Sequence, residues 1–320
     1  MSQYIVRRFL ISIPVIILIS VILFSLVQLA PGDAFSGQFD PNIDASYYEK
    51  MRKDFGFDKP PVEQYFMWAS NFIQGDFGIS FRHKVEVSEM IGNRIGNTFF
   101  LAITAMIITY ILAIPIGIFS AERPYSKIDY TITGISFVGL SIPTFYGALI
   151  AIYLFSFYLG WFPYSGTETV GNDYTGMAYI LDKLHHVLLP AFTLAFLSIA
   201  AYTRYIRASV LDAKQQDFVR TAFAKGLDQK VVLRKHVLRN ALLPLITLFG
   251  LDLGLLVSGA IITESIFSWP GLGRLLYEAT INRDYPILMA GYMIIAIFVL
   301  IGNLIADILY SVADPRIRYD

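Results

Sequence analysis

The chain has 320 residues, 25 basic and 25 acidic side chains, no cysteine and 55% hydrophobic residues. Length alone predicts two soluble domains at about 150 residues each, but a chain that is 16% charged with 25 Phe and 20 Tyr is too apolar for that, since ordinary globular chains are about 25% charged. Disorder, collagen-like structure, a disulfide framework, a thiolate nucleophile and any Cys-built metal site are excluded.

Taken in chain order, the apolar blocks predict six transmembrane helices and no strand. Residues 9–30 carry no formal charge, and about 20 helical residues cross a bilayer core of about 30 Å. Arg7 and Arg8 precede this block, as in a signal peptide. Its apolar core is too long for one, and no small-x-small site precedes Pro31-Gly32-Asp33, so an uncleaved first span is expected. Residues 31–97 follow as a turn-rich segment with short helices expected at 46–55 and 62–74. They are too few to fold alone and are expected to pack on the bundle. Residues 98–120, 130–159 and 187–203 supply spans two to four, and 240–263 and 286–310 supply five and six. The fourth is short, with Pro190 as its kink or its start. Pro115, Pro143, Pro190 and Pro244 lie in or at the ends of spans, where neighbouring helices can satisfy the freed carbonyls.

Basic residues set the orientation. With the amino terminus inside, segments 1–8, 121–129, 204–239 and 311–320 hold 15 basic and 7 acidic residues; segments 31–97, 160–186 and 264–285 hold 10 and 16. The net zero is therefore a polarised +8 inside and −6 outside, with Asp252 and Asp307 left in the spans. The positive-inside rule predicts both termini on the cytoplasmic side.

Between spans four and five the sequence reads Asp217-Phe-Val-Arg-Thr-Ala-Phe-Ala-Lys-Gly-Leu-Asp228. Asp217 is expected as a helix N-cap, Gly226 as the positive-φ residue past the helix end, and Asp228 as the cap of a second helix running toward Arg239. This pattern alone fits a basic helix lying among lipid headgroups as well as one seated in a partner protein.

Charges within spans are expensive and often functional. Asp252, half-way along span five, is the candidate for the translocation path; it either faces a central cavity or pairs with a polar group on a neighbouring helix. Asp307 is expected to serve helix-end packing, and Glu264 stands at the outer end of span five. His83, His185, His186 and His236 show no cysteine or carboxylate at metal-ligand spacing, so no metal site is expected. There is no nucleophile elbow and no phosphate-binding G-x-x-x-x-G-K-[ST]. Gly271-Leu-Gly273-Arg274 is read as an outer turn before a surface helix at 274–280. The nine basic residues of segment 204–239 follow from topology, so no nucleic-acid partner is expected. Neither the internal repeats of a secondary transporter nor the paired groups of an intramembrane enzyme are visible.

Arg220-Thr221-Ala222-x3-Gly226, followed by Leu243-Pro244, resembles the "EAA" loop of ABC importer permeases. Residues 217–227 and 236–244 are similar to the dipeptide/oligopeptide permease group. The resemblance continues through Arg7-Arg8 with Pro14, Pro31-Gly32-Asp33, Gly75-Asp-Phe-Gly-x-Ser80, Ser141-Ile-Pro-Thr-Phe145, residues 267–274, Arg283-Asp-Tyr-Pro286 and residues 314–318. Gly226 and Pro244 stand further apart than in the general motif, and an Arg replaces its Glu. The long first outer segment is similar to that of the first permease of such operons.

The resemblance implies an all-α integral membrane protein with a type I importer bundle, in a bacterial or archaeal cytoplasmic membrane. It implies a second permease as heterodimer partner, two cytoplasmic ATPases and an extracytoplasmic binding protein. Residues 1–30 would be an anchor, 31–97 extracytoplasmic, 98–310 the permease domain with coupling loop 204–239, and 311–320 a cytoplasmic tail. Asp217, Arg220, Thr221, Ala222, Ala224, Lys225 and Gly226 would form the ATPase-coupling site. There Ala222 and Ala224 would allow close approach, Arg220 and Lys225 would meet acidic groups, and Gly226 would allow the exit turn. ATP and Mg would belong to the ATPases; this chain would hold no cofactor and catalyse no reaction. The implied cargo is di- or oligopeptide, with nickel, glutathione or another small solute as alternatives from neighbouring branches.

Overall fold

A computed structural model describes residues 2–30, 58–255 and 260–313. Among these residues the structure is helical apart from turns and one isolated bridge between Ile79 and Glu86. The helix expected at 46–55 lies outside them.

The helices are α1 (Ser2–Leu29), α2 (Pro61–Ile73), α3 (Val87–Glu122), α4 (Lys127–Ser141), α5 (Thr144–Ala151), α6 (Met177–Lys214) and α7 (Asp217–Ala224), followed by α8 (Gln229–Val231), α9 (Leu238–Ala241), α10 (Leu243–Leu255), α11 (Ile261–Ile266), α12 (Leu272–Asn282) and α13 (Tyr285–Ala313). Wider π-helical turns extend α5 over Ile152–Tyr158 and join α8 to α9 over Val232–Val237. Four helices, α1, α3, α6 and α13, are each long and apolar enough to cross a membrane, and α4 with the extended α5 makes a fifth if the bent pair is one span. The fifth expected span, 240–263, is described only in pieces, as α9, α10 and the start of α11.

Three expectations are corrected. The third span is not one helix: α4 and the extended α5 meet at 105°. Pro143 fixes its own φ at −58° and holds Ile142 extended, at φ −83° and ψ 120°, which ends one helix and starts the next. The fourth span is not short; α6 runs 38 residues with a buried Pro190 in its interior, so the segment after residue 203 continues as helix to Lys214. The helix after the Gly-rich turn is longer than 274–280: it starts at Leu272, buries Leu272, Leu275, Leu276 and Ala279 against α3 and α13, and leaves Tyr277 and Ile281 exposed on its other face.

α3 lies along α6, α10 along α13, and α1 rests on α13. Close approach is made possible by small residues. A Cβ at Gly117 would stand 2.8 Å from Ile206 of α6, and one at Gly250 would run into Ala306 of α13. Apolar residues cover the outside as well, including Leu18, Phe137 and Phe157. That pattern suits a lipid solvent and would be costly in water.

Candidate functional site

The helix α7 is bounded as its sequence requires at one end and differently at the other. Gln216, in extended backbone, is the N-cap; Asp217 stands one place inside the helix and makes no cap hydrogen bond. The turn out of α6 comes one residue earlier than expected. Asp217 instead places its carboxylate in the first turn, where the helix dipole favours an anion, 3.4 Å from Arg220, with both side chains exposed. At the other end Gly226 has φ +76°. Its N–H donates to Phe223 O at 2.9 Å, and the Leu227 N–H donates to Ala222 O at 3.3 Å. These two bonds make a Schellman motif. Asp228 then caps α8 by accepting from the Lys230 N–H at 3.1 Å.

Val219 and Ala222 form the inner face of α7, each 4% exposed, packed with Ile206, Val210, Val232 and Val237. Ala222 is therefore part of the chain's own core and is not free to approach a partner. Arg220, Thr221, Ala224 and Lys225 do face outward. Phe218 and Phe223, 37% and 48% exposed, flank the buried stripe. Sequence reasoning passed over both, yet an eight-residue helix that buries Val219 and Ala222 leaves no inner position for them.

The platform beneath α7 is held by a charge pair that the sequence did not single out. Arg207 of α6 donates twice to Asp129 of α4, Nε to Oδ1 at 2.6 Å and Nη2 to Oδ2 at 2.7 Å. Asp129 is 2% exposed and also accepts from Ser120 Oγ and, at 2.8 Å, from the Tyr125 N–H. Lys214 Nζ donates to Ala121 O at 2.6 Å, and Ser209 Oγ to Ala241 O at 2.7 Å. The end of α6 is thereby fastened to the α3–α4 turn on one side and to α9 on the other.

In mid-bundle, Asp252 of α10 accepts from Tyr110 of α3 at 2.8 Å and from Tyr202 of α6 at 2.6 Å. The two phenol rings stack at 5.5 Å, and Phe249 meets Tyr110 edge-on at 5.7 Å. Three helices thus converge on one carboxylate beside an apolar groove lined by Ile107, Tyr110, Ile114, Leu245 and Phe249. Asp307 pairs with Arg8 of α1 at 3.2 Å, tying α13 to α1.

At the end of the bundle away from α7, Glu264 is fully buried. It accepts from Thr98 Oγ1 at 2.7 Å and from the Arg274 N–H at 2.9 Å, while Thr98 Oγ1 accepts from the Leu272 N–H at 2.7 Å. Trp269, also fully buried, donates to Asn97 O at 3.0 Å. Asp284 accepts from Ser80 Oγ at 2.5 Å and from the backbone N–H groups of Phe81 and Arg82. Two motifs about 200 residues apart in sequence therefore meet here. Thr98→Val is expected to lower stability by about 1–3 kcal/mol, because it strands two buried polar partners. Thermal unfolding in detergent, with Thr98→Ser as the variant that keeps the hydroxyl, checks this.

His186 Nδ1 lies 3.6 Å from Asp182 Oδ1, so a carboxylate does stand four residues before a histidine, contrary to expectation. Asp182 is already engaged by Thr169 through N–H at 2.8 Å and Oγ1 at 2.6 Å, and His185 Nε2 sits 2.8 Å from Trp161 O. Among the described residues no three His, Asp or Glu side chains converge as metal ligands.

Several helices long and apolar enough to cross a membrane, a proline-broken span and a capped helix displayed at one end of the bundle define a multi-pass membrane protein. The chain belongs to the family of binding-protein-dependent transport system inner membrane components, whose model matches residues 113–319, while the model of that family's amino-terminal part matches residues 1–102. It is similar to the oligopeptide transport system permease protein AppB of Bacillus subtilis, 47% identical over 320 residues and covering all of both chains. It is also similar to the glutathione transport system permease protein GsiC of Escherichia coli K12, 36% identical over 319 residues, again over all of both. α7 and its platform fall within residues 113–319.

Proposed function

We propose that this chain is one of two permease subunits of an ATP-driven importer that carries di- or oligopeptides across the cytoplasmic membrane. The observation that carries the proposal is α7: a short helix, capped by a Schellman turn and braced from beneath, displaying Arg220, Lys225 and two half-exposed phenylalanines. A partner ATPase would seat on this face, and closure of the ATPase pair would move α7 together with its platform. Both termini and α7 would be cytoplasmic. Residues 1–30 would anchor the chain, 31–97 would lie toward the binding protein, and 98–310 would form the moving core around Asp252. ATP and Mg would be held by the ATPases alone.

The end-to-end likeness to an oligopeptide permease supports a peptide cargo; the lower likeness to a glutathione permease supports glutathione as the second reading. The test is uptake by the complex reconstituted with its sister permease, ATPases and binding protein. Expected is ATP-dependent uptake of peptides that exceeds uptake of glutathione and of free nickel. Uptake that persists without the ATPases would sink the proposal; glutathione taken up in preference to longer peptides would replace the cargo.

A further inference from the structure

We propose that α2 lies within the bilayer, at the headgroup–acyl boundary of the nearer leaflet, and presents Val62, Phe66 and Ile73 to lipid. The sequence led to the expectation of an extracytoplasmic segment over residues 31–97 packed on the bundle, and this inference does not depend on what the chain transports.

Three sectors of α2 have distinct neighbours. Glu63, Ser70 and Gln74 are exposed and polar, with Lys59 paired to Glu63 at 3.0 Å. Tyr65, Trp68 and Phe72 face the protein: Tyr65 and Trp68 pack on Phe24 of α1 at 5.5 and 6.4 Å, and Phe72 on Phe77 at 5.0 Å. The third sector is apolar and uncovered, with Val62 69%, Phe66 65% and Ile73 86% exposed. At about 100° per residue these three fall within roughly 40° of one another, between the aromatic sector, about 60° away on one side, and the polar one, about 40° away on the other; the aromatic and polar sectors lie on opposite sides of the helix. The apolar arc of α2 is therefore wider than its contact with the protein.

Depth comes from the partners on α1. Tyr65 Oη is 2.8 Å from Ser20 Oγ, and Gln28 Nε2 donates to Gln64 Oε1 at 2.6 Å. Ser20 lies ten residues before the end of the uncharged block at Ala30, about 15 Å along a helix and hence near the middle of a core of about 30 Å. Phe24, which carries Tyr65 and Trp68, is about 9 Å below that end by the same rise. An amphipathic interfacial helix buries its apolar face about 5–10 Å into the boundary region. α1 itself is open along Leu18, Ile22 and Leu26, on the side away from Ser20 and Phe24 at about 100° per residue, so the helix on which α2 rests is one that lipid surrounds.

Because the chain has no cysteine, single nitroxide-labelled cysteines can report on α2 in the full chain. The substitutions are Phe66→Cys and Ile73→Cys on the stripe, and Ser70→Cys and Gln74→Cys on the polar side. Each is assembled with its partner subunits in phosphatidylcholine–phosphatidylglycerol vesicles. Collisions with oxygen are expected to exceed those with a water-soluble nickel chelate at 66 and 73, and the order is expected to reverse at 70 and 74. Chelate-dominated collisions at 66 and 73 would place the stripe in water and overturn the inference. Low collision with both reagents would show it covered by protein, by residues 31–57 or by a partner, and would overturn it equally. Ile73 lies at the end of the helix and carries the test if the Phe66 variant does not assemble.

Discussion

Valine at position 226 is expected to abolish ATP-driven uptake while leaving the chain inserted in the membrane. Gly226 has φ +76°, and a Cβ built there meets no atom within 4 Å. The defect is therefore one of backbone conformation and not of packing. A non-glycine residue in the left-handed region costs about 1–2 kcal/mol, and a β-branched one sits at the upper end or beyond. α7 has eight residues, too few to persist on propensity, so its direction is set by its two ends and by Val219 and Ala222 beneath it. Relaxing φ at 226 breaks the bonds from Gly226 to Phe223 and from Leu227 to Ala222, and the exit toward α8 swings away. Two kcal/mol corresponds to roughly a 30-fold population shift, enough to leave α7 in its observed orientation only rarely. Uptake and ATPase activity of Gly226→Val and Gly226→Asn, in proteoliposomes with equal amounts of inserted protein, check this. Asn tolerates the left-handed region, so it is expected to retain a substantial part of the activity. Wild-type uptake by the valine variant would remove α7 from the coupling pathway.

Much of this architecture was visible in composition and periodicity. Long apolar blocks report α1, α3 and α13 because lipid demands apolar side chains on all outward faces and hydrogen-bonded backbone throughout. Gly226 and Asp228 were legible because their roles are local, each fixed by one backbone conformation or one cap bond. Pro143 was noted as a break, but the angle between α4 and α5 depends on what each half packs against. The length of α6 was hidden because polar residues at both of its ends end the hydropathy signal before they end the helix.

The hardest features to see were those made by distant residues. Asp129, Arg207, Glu264, Asp284 and Ser80 were each counted as loop or end charges, or as fragments of motifs. What they do is set by partners 78, 166 or 204 residues away, and no local pattern carries that distance. Ala222 illustrates the converse. Small size made it a candidate for close approach to a partner, and small size is also what lets α7 settle onto α6.

Arg207→Ala is expected to be among the most destabilising single changes in the chain, and to cost more than Asp129→Ala. Breaking a buried ion pair by removing one partner costs about 3–5 kcal/mol, chiefly because the other charge is left uncompensated. The two survivors are not equivalent. Without Arg207, the Asp129 carboxylate stays 2% exposed with only Ser120 and the Tyr125 N–H as donors. Without Asp129, the Arg207 side chain, already 24% exposed, can turn toward solvent and recover hydration. Removing both is expected to be less harmful than Arg207→Ala alone, since no unpaired charge remains, although a packing defect does. Arg207→Lys keeps the charge but loses the two-pronged geometry, so an intermediate loss is expected. Thermal unfolding of the four variants in one detergent gives the order, and a double-mutant cycle gives the pairwise coupling, expected above about 1 kcal/mol. Raising salt should change that coupling little, because a pair this enclosed is weakly screened. A coupling near zero, or Asp129→Ala as the worse single variant, would show that the α6–α4 brace draws its strength from the surrounding packing and not from the charges.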